Sequence, residues 1–397
     1  MTRQAPSQPQ NAPVISSYAN GADGIVQPDY SGAWIGGLFP ALLRGRVPAG
    51  LPDWIARVAP VVVVLIDGLG WQMYQRFAAL LPALGEFEGG PITTVVPSTT
   101  ATALPSLTTG RTPGEHGMFG DRMRVGGRML SVLQWTVPDG EPPAPATVQR
   151  HAPFGGRVVP VISLAKFAGT GFSQAHLRGA SFLGYETTDE LVARVGESLG
   201  AGARLVFAYL PHVDRSAHER GMEHGEFEQA VTTAGHAVRR IRHSVPASGA
   251  VIVTADHGHV AVDPGARIDM TPLQPLVSAM SGSSRLRYLH ARPGAAPELL
   301  VAARQLVGDH AWIHDRGSLV ASGWLGPSTA ALTTGRLGDV ILAARGEATL
   351  IDRSEERLNR LLTMHGSVTA AEMLVPLLVA RGLAAVPLRT LSRHHAP

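Results

Sequence analysis

The sequence predicts an α/β protein whose doubly wound, mostly parallel sheet is flanked by helices. Three short runs support this prediction, at Val61–Ile66, Leu205–Leu210 and 251–254. Each run is almost entirely apolar, as expected of strands that are buried on both faces of a parallel sheet. Each run also leads into an acidic position, and segments with helical spacing separate the runs. In such sheets, ligands gather beyond the carboxyl ends of the strands.

The predicted elements up to residue 200 alternate between strand and helix. Thr100 opens a helix after the turn Pro97-Ser98-Thr99, and Pro105 predicts a kink or break within it. In chain order these elements are a strand at Val61–Ile66, a helix at 71–84, a strand at 92–96, the helix from Thr100, a strand at 158–163 and a helix at 188–199. The alternation is typical of parallel strands that are connected by helices.

After residue 200, a helix at 226–243 separates two strands, and the pattern then becomes irregular. This irregular part contains strand-like 286–290, a helix at 297–307 and strand-like Val340–Ala344, and a helix at 370–381 returns the chain to the core. The predicted divisions are a leader and first segment at 1–50, a catalytic α/β core at 51–261 with a small insertion at about 120–157, an inserted cap subdomain at 262–354, and a return to the core with a C-terminal tail at 355–397.

The composition excludes several functional classes. Cysteine is absent, so disulfides, iron–sulfur clusters and thiolate zinc sites are excluded, and any metal must be held by His, Asp or Glu. The chain has 34 Lys and Arg residues and 31 Asp and Glu residues, which gives a net charge of +3, and no block of consecutive basic residues occurs. We therefore expect no nucleic-acid binding.

The N-terminal segment and the apolar runs predict a cytoplasmic protein. Residues 1–24 are polar and lack the apolar core of a secretory signal. The run VAPVVVVLI ends at Asp67, and no stretch approaches the roughly 18 apolar residues that a membrane span requires. We expect no membrane partner.

Three acidic motifs follow the strands. Asp67 ends the first strand, Asp214 and His218 are spaced for one helix face, and Asp256 precedes His257 directly. Each motif has an ordinary structural alternative: a turn or helix cap for Asp67, an N-cap with an unrelated surface histidine for the second pair, and chance for the third.

The joint pattern favours metal binding, because carboxylates from three strand ends would converge on one edge of the sheet. Converging carboxylates repel one another, whereas two divalent cations make the same cluster favourable. Asp and His are normal zinc ligands, and paired ions serve phosphoryl chemistry. Thr100 begins a helix, where free N–H groups favour an anion such as phosphate. Taken by itself, a threonine at the start of a helix is better explained as an N-cap residue.

With these motifs in order, the chain resembles the alkaline phosphatase superfamily and, within it, the type I phosphodiesterase and nucleotide pyrophosphatase family. The resemblance extends from LIDGLG through PSTTATALPSLTTGRTPGEHG, YLPHVDRSAHERG and TADHGHV to MHG. It implies an alkaline-phosphatase-like core with two divalent ions, zinc or alternatively manganese. One ion is then held by Asp214, His218 and His365. The other is held by Asp67, Asp256 and His257 and touched by the nucleophile Thr100.

Asp121 departs from the family pattern, because phosphodiesterases of this family usually place a phosphate-binding asparagine there. Arg122 and Arg124 are two cations that could neutralise it. Lys166, the only lysine of the chain, lies near the predicted mouth of the site, either as a substrate contact or as a solvated surface residue. His259 is either an outer partner of the metal site or a surface histidine.

The resemblance implies a metal-dependent phosphohydrolase that acts on a small phosphorylated substrate, with nucleotides as candidates, through a phosphothreonine intermediate. A carboxylate at Asp121 disfavours a dianionic monoester, so we expect phosphodiester or pyrophosphate bonds to be cleaved in preference. The alternatives are a phosphomonoesterase, a phosphomutase of the same superfamily and a pseudoenzyme that only binds its ligand.

Overall fold

The computed structural model describes residues 24–330, 334–356 and 358–384. In these ranges the strands are, in chain order, β1 (Val61–Ile66), β2 (Glu88–Thr93), β3 (Arg122–Val125), β4 (Arg128–Ser131), β5 (Pro160–Leu164), β6 (Ser181–Tyr185), β7 (Leu205–Leu210), β8 (Ala250–Thr254), β9 (Val260–Ala261), β10 (Arg267–Asp269), β11 (Val277–Gly282), β12 (Leu286–Ala291), β13 (Ala311–Asp315), β14 (Val340–Ala344), β15 (Thr349–Ile351), β16 (Thr363–Met364) and β17 (Leu374–Arg381). Residues 1–23 of the predicted leader and the tail 393–397 lie outside the described residues.

The α-helices of the same ranges are grouped largely in the first two thirds of the chain. In chain order they are α1 (Leu38–Leu43), α2 (Trp71–Arg76), α3 (Thr100–Thr109), α4 (Pro113–His116), α5 (Pro145–Val148), α6 (Gly171–Leu177), α7 (Thr188–Gly200), α8 (His212–Arg220), α9 (Gly225–Ser244), α10 (Ala296–Val307), α11 (Arg316–Ala321) and α12 (Ala370–Met373). Among the described residues, none of the helices combines the length and the hydrophobicity that a membrane-spanning helix requires.

A seven-stranded sheet forms the core, in the order β2-β17-β8-β1-β7-β5-β6. Strands β8, β1, β7, β5 and β6 pair in parallel, and only β17 runs antiparallel to its neighbours β2 and β8. Two groups of packed helices flank the sheet, α1 with α3 and α6, and α7 with α8 and α9. The predicted doubly wound, mostly parallel α/β class is therefore confirmed.

The central strand β1 shows why the sheet forms as predicted. All six of its residues are buried, so the run VVVVLI packs on both faces of the sheet. Its β-branched side chains suit this pleated, fully covered position. The strand ends at Asp67, a charged residue placed at the carboxyl edge of the sheet.

The helix predicted at 370–381 is wrong. Only the single turn α12 is helical, and the chain then enters β17 between β2 and β8. The sequence LVPLLVAR is a short, continuous apolar run, a pattern that does not distinguish a buried strand from a buried helix. Pro376 would remove a hydrogen bond from a helix interior, whereas in β17 it lies opposite Pro91 of β2.

Three other elements differ in extent from the prediction. The helix predicted at 71–84 ends at Arg76 and continues as short 3₁₀ turns, the last of which begins at Pro82. The second strand is β2 rather than 92–96. Helix α3 continues through Pro105, because residues 100–108 are all buried and tertiary packing outweighs the lost hydrogen bond.

A smaller antiparallel sheet, β11-β12-β14-β13, lies in the region that the sequence assigns to the cap. Its core is separate from the main one and includes Leu289, Leu299 and Leu342. Strands β3 and β4 form a hairpin within the smaller predicted insertion. The boundaries of the four divisions stay predictions.

Candidate metal centre and active site

The carboxyl edge of the central sheet gathers the acidic motifs. Asp67 follows β1, Asp256 lies two residues beyond β8, and Asp214 lies in the first turn of α8 beyond β7. These three strands are adjacent and parallel, so their ends bring the three carboxylates together.

One cluster consists of Asp67, Asp256 and His257, which are all buried. Nε2 of His257 lies 3.4 Å from Oδ1 of Asp67 and 3.5 Å from Oδ2 of Asp256. The other carboxylate oxygens already accept hydrogen bonds, from the Gly68 N–H to Asp256 and from the Tyr209 hydroxyl to Asp67. Oδ2 of Asp256 is buried without a hydrogen-bond partner. Each carboxylate therefore keeps one oxygen directed at the same space as His257.

A second cluster surrounds Oδ1 of Asp214, which is itself buried without a hydrogen-bond partner. The nearest imidazole nitrogens are Nε2 of His259 at 3.1 Å, of His218 at 3.3 Å and of His365 at 3.8 Å. His365 also stacks on His257 with ring centroids 3.5 Å apart. The two clusters are therefore contiguous.

Backbone carbonyls fix the orientation of the imidazoles. Nδ1 of His218 lies 2.7 Å from the carbonyl oxygen of Thr363, and Nδ1 of His365 lies 2.9 Å from that of Ser98. In a neutral ring the Nδ1–H donates to this carbonyl, which leaves the Nε2 lone pair free. Each Nε2 is directed at a carboxylate oxygen, which is the arrangement expected of metal ligands.

The spacing of the donor atoms fits two tetrahedral ions. Zinc bonds to nitrogen and oxygen of about 2.0 to 2.1 Å require neighbouring ligand atoms to lie about 3.3 Å apart. The His218–Asp214 and His257–Asp67 separations of 3.3 and 3.4 Å match that value. Together with the unpartnered carboxylate oxygens, this spacing makes the two clusters suitable for divalent cations.

The electrostatics of the clusters also favour cations. Burial, together with the charges of Asp256 and Asp214, raises the pKa of Asp67 well above its ordinary value. Burial opposes ionisation of Asp214, but the charge of His218 and contacts with neighbouring histidines lower its pKa well below the ordinary range. Divalent cations would stabilise all three carboxylates in their ionised form.

Thr100 is the first residue of α3 and is buried beside the first cluster. Its hydroxyl oxygen lies 3.1 Å from Nε2 of His257 and 3.4 Å from Oδ1 of Asp67. A cavity of about 590 Å³ opens from Thr100, Asp67 and Asp214. Its walls include the aromatic residues Phe172 and Phe207.

The remaining predicted residues lie nearby. Asp121 is partly buried and interacts electrostatically with His257 and His218, and burial raises its pKa to about 6. Arg122 does not neutralise it, because Arg122 forms ion pairs with Glu355 and Asp352 instead. Lys166 is exposed at the wall of the cavity, with Nζ 5.2 Å from the centroid of the Phe167 ring.

Sequence reasoning missed one contact of the site. The Tyr209 hydroxyl donates to Asp67, and only its position in the strand before Asp214 could have indicated this. For His259 the sequence left two alternatives open, an outer partner of the metal site and a surface histidine. The residue is 5% exposed and faces Asp214, so it does not lie at the surface.

Comparison with known families identifies the chain as a hydrolase that acts on phosphoester bonds. The family model for type I phosphodiesterase / nucleotide pyrophosphatase matches residues 61–368. The chain therefore belongs to this metal-dependent family of the alkaline phosphatase superfamily. No curated protein matches the sequence significantly.

Solved structures with the same fold include a murine and a bacterial enzyme. Murine ectonucleotide pyrophosphatase / phosphodiesterase 5 superposes with a TM-score of 0.63 at 15% identity, covering 80% of this chain and 87% of that one. Phosphonoacetate hydrolase from Sinorhizobium meliloti 1021, in complex with phosphonoacetate, gives a TM-score of 0.59 at 16% identity, covering 84% and 92%. At these identities the likeness shows the fold alone.

Proposed function

We propose that the protein is a two-metal phosphohydrolase that cleaves phosphodiester or pyrophosphate bonds through a phosphothreonine intermediate. The observation that supports this most directly is the position of the Thr100 hydroxyl, 3.1 Å from His257 and 3.4 Å from Asp67. The hydroxyl thus adjoins the donor atoms of one cluster, and Thr100 lines a cavity large enough for a substrate.

The proposed ligands are divided between the two clusters. Asp67, Asp256 and His257 hold one ion, with Thr100 beside it, and Asp214, His218 and His365 hold the other. The side chains are aspartates and histidines, which suit zinc, with manganese as the alternative. Bound ions supply positive charge that stabilises the attacking and leaving oxygens of an in-line displacement.

In the first step of the proposed reaction, the oxygen of Thr100 gives up its proton to solvent and attacks phosphorus. The bond from phosphorus to the leaving oxygen breaks, and the leaving oxygen departs with the electron pair and takes a proton from water. The N–H groups at the start of α3 favour the anionic phosphoryl group. In the second step, water attacks phosphorus, the bond to Thr100 breaks, one proton of the water returns to the Thr100 oxygen and the other goes to solvent with release of the phosphoryl product. The Tyr209 hydroxyl keeps Asp67 oriented throughout through its hydrogen bond.

Two features support the proposed substrate class, the cavity and Asp121. Aromatic residues in the cavity wall can stack against a nucleobase or another aryl group. A carboxylate at Asp121 disfavours the second negative charge of a monoester. A murine structure with the same fold was solved in complex with AMP, at a TM-score of 0.61 and 14% identity, covering 81% of this chain and 87% of that one, and this supports a nucleotide as one candidate substrate.

A panel of aryl phosphate monoesters, aryl phosphate diesters and dinucleotides, assayed with zinc and with manganese, tests this proposal. We expect a higher kcat/KM for the diester than for the matching monoester. A preference for the monoester would instead identify a phosphomonoesterase. Transfer of phosphate within the substrate, without net hydrolysis, would identify a phosphomutase.

A further inference from the structure

His259 occupies a position that the assigned ligand sets leave without a role. It immediately precedes β9, which pairs with β16 and thereby lies beside the segment that carries His365. The His259 side chain is fully buried, and its ring lies 4.9 Å from the ring of His218. A neutral imidazole in such a place needs partners for both nitrogens.

Only one nitrogen of His259 has such a partner. Nδ1 lies 3.1 Å from the hydroxyl oxygen of Thr363, the same residue whose carbonyl orients His218. Nε2 lies 3.1 Å from Oδ1 of Asp214, but the two atoms are not aligned as a hydrogen bond. Two buried polar atoms that face each other without this alignment recover only part of their desolvation cost, and a shared cation would remove it.

The surrounding backbone leaves space for this approach. Gly68 has a positive φ of 74°, and a Cβ built on it would lie 2.5 Å from Nε2 of His259 and 3.0 Å from Cβ of Asp214. Glycine at this position therefore lets the imidazole reach Asp214.

The geometry points to His259 as a further protein ligand of the ion held by Asp214 and His218. Donor atoms of these three residues lie within 4.8 Å of one another. The separations from Asp214 to His259 and His218, 3.1 and 3.3 Å, match the ligand spacing of about 3.3 Å around zinc. Nε2 of His365 lies farther from the same oxygen, at 3.8 Å. This inference rests on the proposed metal dependence.

An additional imidazole has two consequences for that ion. It adds a bond without adding charge, so the ion is held more tightly than three ligands would hold it. It also makes the ligand set richer in nitrogen, and imidazole favours zinc, whereas carboxylate and water suit manganese. His259 therefore makes this one site more selective for zinc.

The test is a zinc titration of metal-stripped, full-length protein in competition with a chromophoric chelator of known affinity, repeated with manganese. The variants are His259→Gln, which removes the nitrogen ligand, and Thr363→Val, which removes only the hydroxyl that orients it. His236→Gln is the matched control, because His236 is exposed on α9.

We expect His259→Gln to weaken one of the two zinc-binding events by about tenfold or more and to leave the other nearly unchanged. The ratio of zinc to manganese affinity should fall at the weakened site, which a purely structural histidine would not cause. Thr363→Val should weaken the same event by a smaller factor, and His236→Gln should bind as the wild type does.

Two results separate this inference from the proposed function. In the first, His259→Gln binds zinc at both sites as tightly as the wild type, while His218→Gln loses one site. This result would overturn the role of His259 and leave the two-metal proposal intact. A wild-type protein that binds no divalent ion would overturn both. If His259→Gln does not fold by circular dichroism, Thr363→Val decides, and unchanged zinc binding in that variant overturns the inference.

Discussion

The hydroxyl oxygen of Thr100 lies 3.1 Å from Nε2 of His257, although 157 positions separate the two residues in the chain. Thr100 opens α3, and His257 follows β8. Their approach joins a helix N-terminus, which favours an anion, to the donor atoms of a metal cluster. A hydroxyl in such a place is suited to nucleophilic attack on phosphorus.

Thr100→Ala should therefore lower kcat by roughly 10³-fold or more, because it removes the proposed nucleophile. Thr100→Ser keeps a hydroxyl and should retain part of the activity. Metal content and the circular dichroism spectrum should stay near wild type in both variants, since the change is small. Near wild-type turnover by Thr100→Ala would show that water attacks phosphorus directly.

Metal removal gives the second prediction. Purified protein should contain close to two divalent ions per chain, mainly zinc, by elemental analysis. A chelator should abolish activity and also lower Tm, because the ions bind the folded state and not the unfolded chain. Added zinc should restore both properties. Full activity in protein shown to be free of metal would contradict the two-metal mechanism.

Strands β1, β7 and β8 of the central sheet were predictable because they are continuous apolar runs that lead into acidic positions. Strand β6 was not predicted, because SFLGY is not such a run. Val61–Ile66 is buried along its whole length, and Asp67 marks its end. Parallel strands share one carboxyl edge, so the same pattern also anticipated which acidic residues would meet. The local sequence is informative here because the apolar run indicates a buried strand and the acidic residue indicates where the strand ends.

Strand β17 and His259 could not be assigned in this way. The apolar run at Leu374–Arg381 suits a buried helix or a buried strand, and its pairing with β2 and β8 decides between them. His259 is buried because β9 pairs with β16, and this places Thr363 against its ring. Both outcomes depend on contacts between segments about 100 or more residues apart, which no local pattern encodes.

A buried ion pair connects Arg285, the residue before β12, to Glu372 of α12 and gives a stability prediction. Arg285 donates two hydrogen bonds to Glu372, at 2.9 and 2.8 Å, and both side chains are fully buried. Glu372→Gln leaves the guanidinium without its counter-charge and should cost about 3 to 5 kcal/mol of unfolding free energy.

Urea unfolding of the wild type and of Glu372→Gln measures this loss of unfolding free energy. Glu226→Gln is the control, because Glu226 pairs with Arg220 at the surface with both side chains about half exposed. An exposed pair of this kind contributes about 1 kcal/mol or less. Equal small losses in the two variants would show that the buried pair does not stabilise the fold.

Lys166 gives a prediction about the leaving group. Its ammonium group lies at the wall of the cavity and is exposed, so it can meet a charged substrate with little desolvation. Lys166→Ala should raise KM about fivefold for a substrate with a pyrophosphate bond, which corresponds to about 1 kcal/mol of Coulomb energy. An aryl diester with a neutral leaving group should be affected less.

The control for Lys166→Ala is Arg239→Ala, which changes the net charge by the same amount at an exposed position of α9. Raising the salt concentration should reduce the difference between wild type and Lys166→Ala, because the interaction is screened. If KM for both substrates stayed at the wild-type value, Lys166 would be a solvated surface residue without a role in binding.

Asp121 predicts a dependence on pH. Burial is the largest cause that raises its pKa to about 6, from an ordinary value of 3.8, and the charges of Asp214 and Glu355 add to it. In the metal-free folded protein the carboxyl is thus mostly neutral at pH 5 and ionised at pH 8. Asp121→Asn removes the ionisation and keeps the shape of the side chain.

A folded-state pKa above the unfolded value means that the contribution of Asp121 to stability is present at low pH and is lost as the pH rises through about 6. In metal-stripped protein, Asp121→Asn should therefore leave Tm unchanged near pH 3.5 and raise it at pH 8.

In the proposed active site, the ionised carboxylate of Asp121 repels the substrate phosphate, and bound divalent ions favour the ionised form. In the metal-loaded enzyme at pH 8, Asp121→Asn should therefore raise kcat/KM for an aryl diester about fivefold, the effect of roughly 1 kcal/mol of repulsion. Equal kcat/KM values for the variant and the wild type at pH 8 would place Asp121 outside the phosphate pocket.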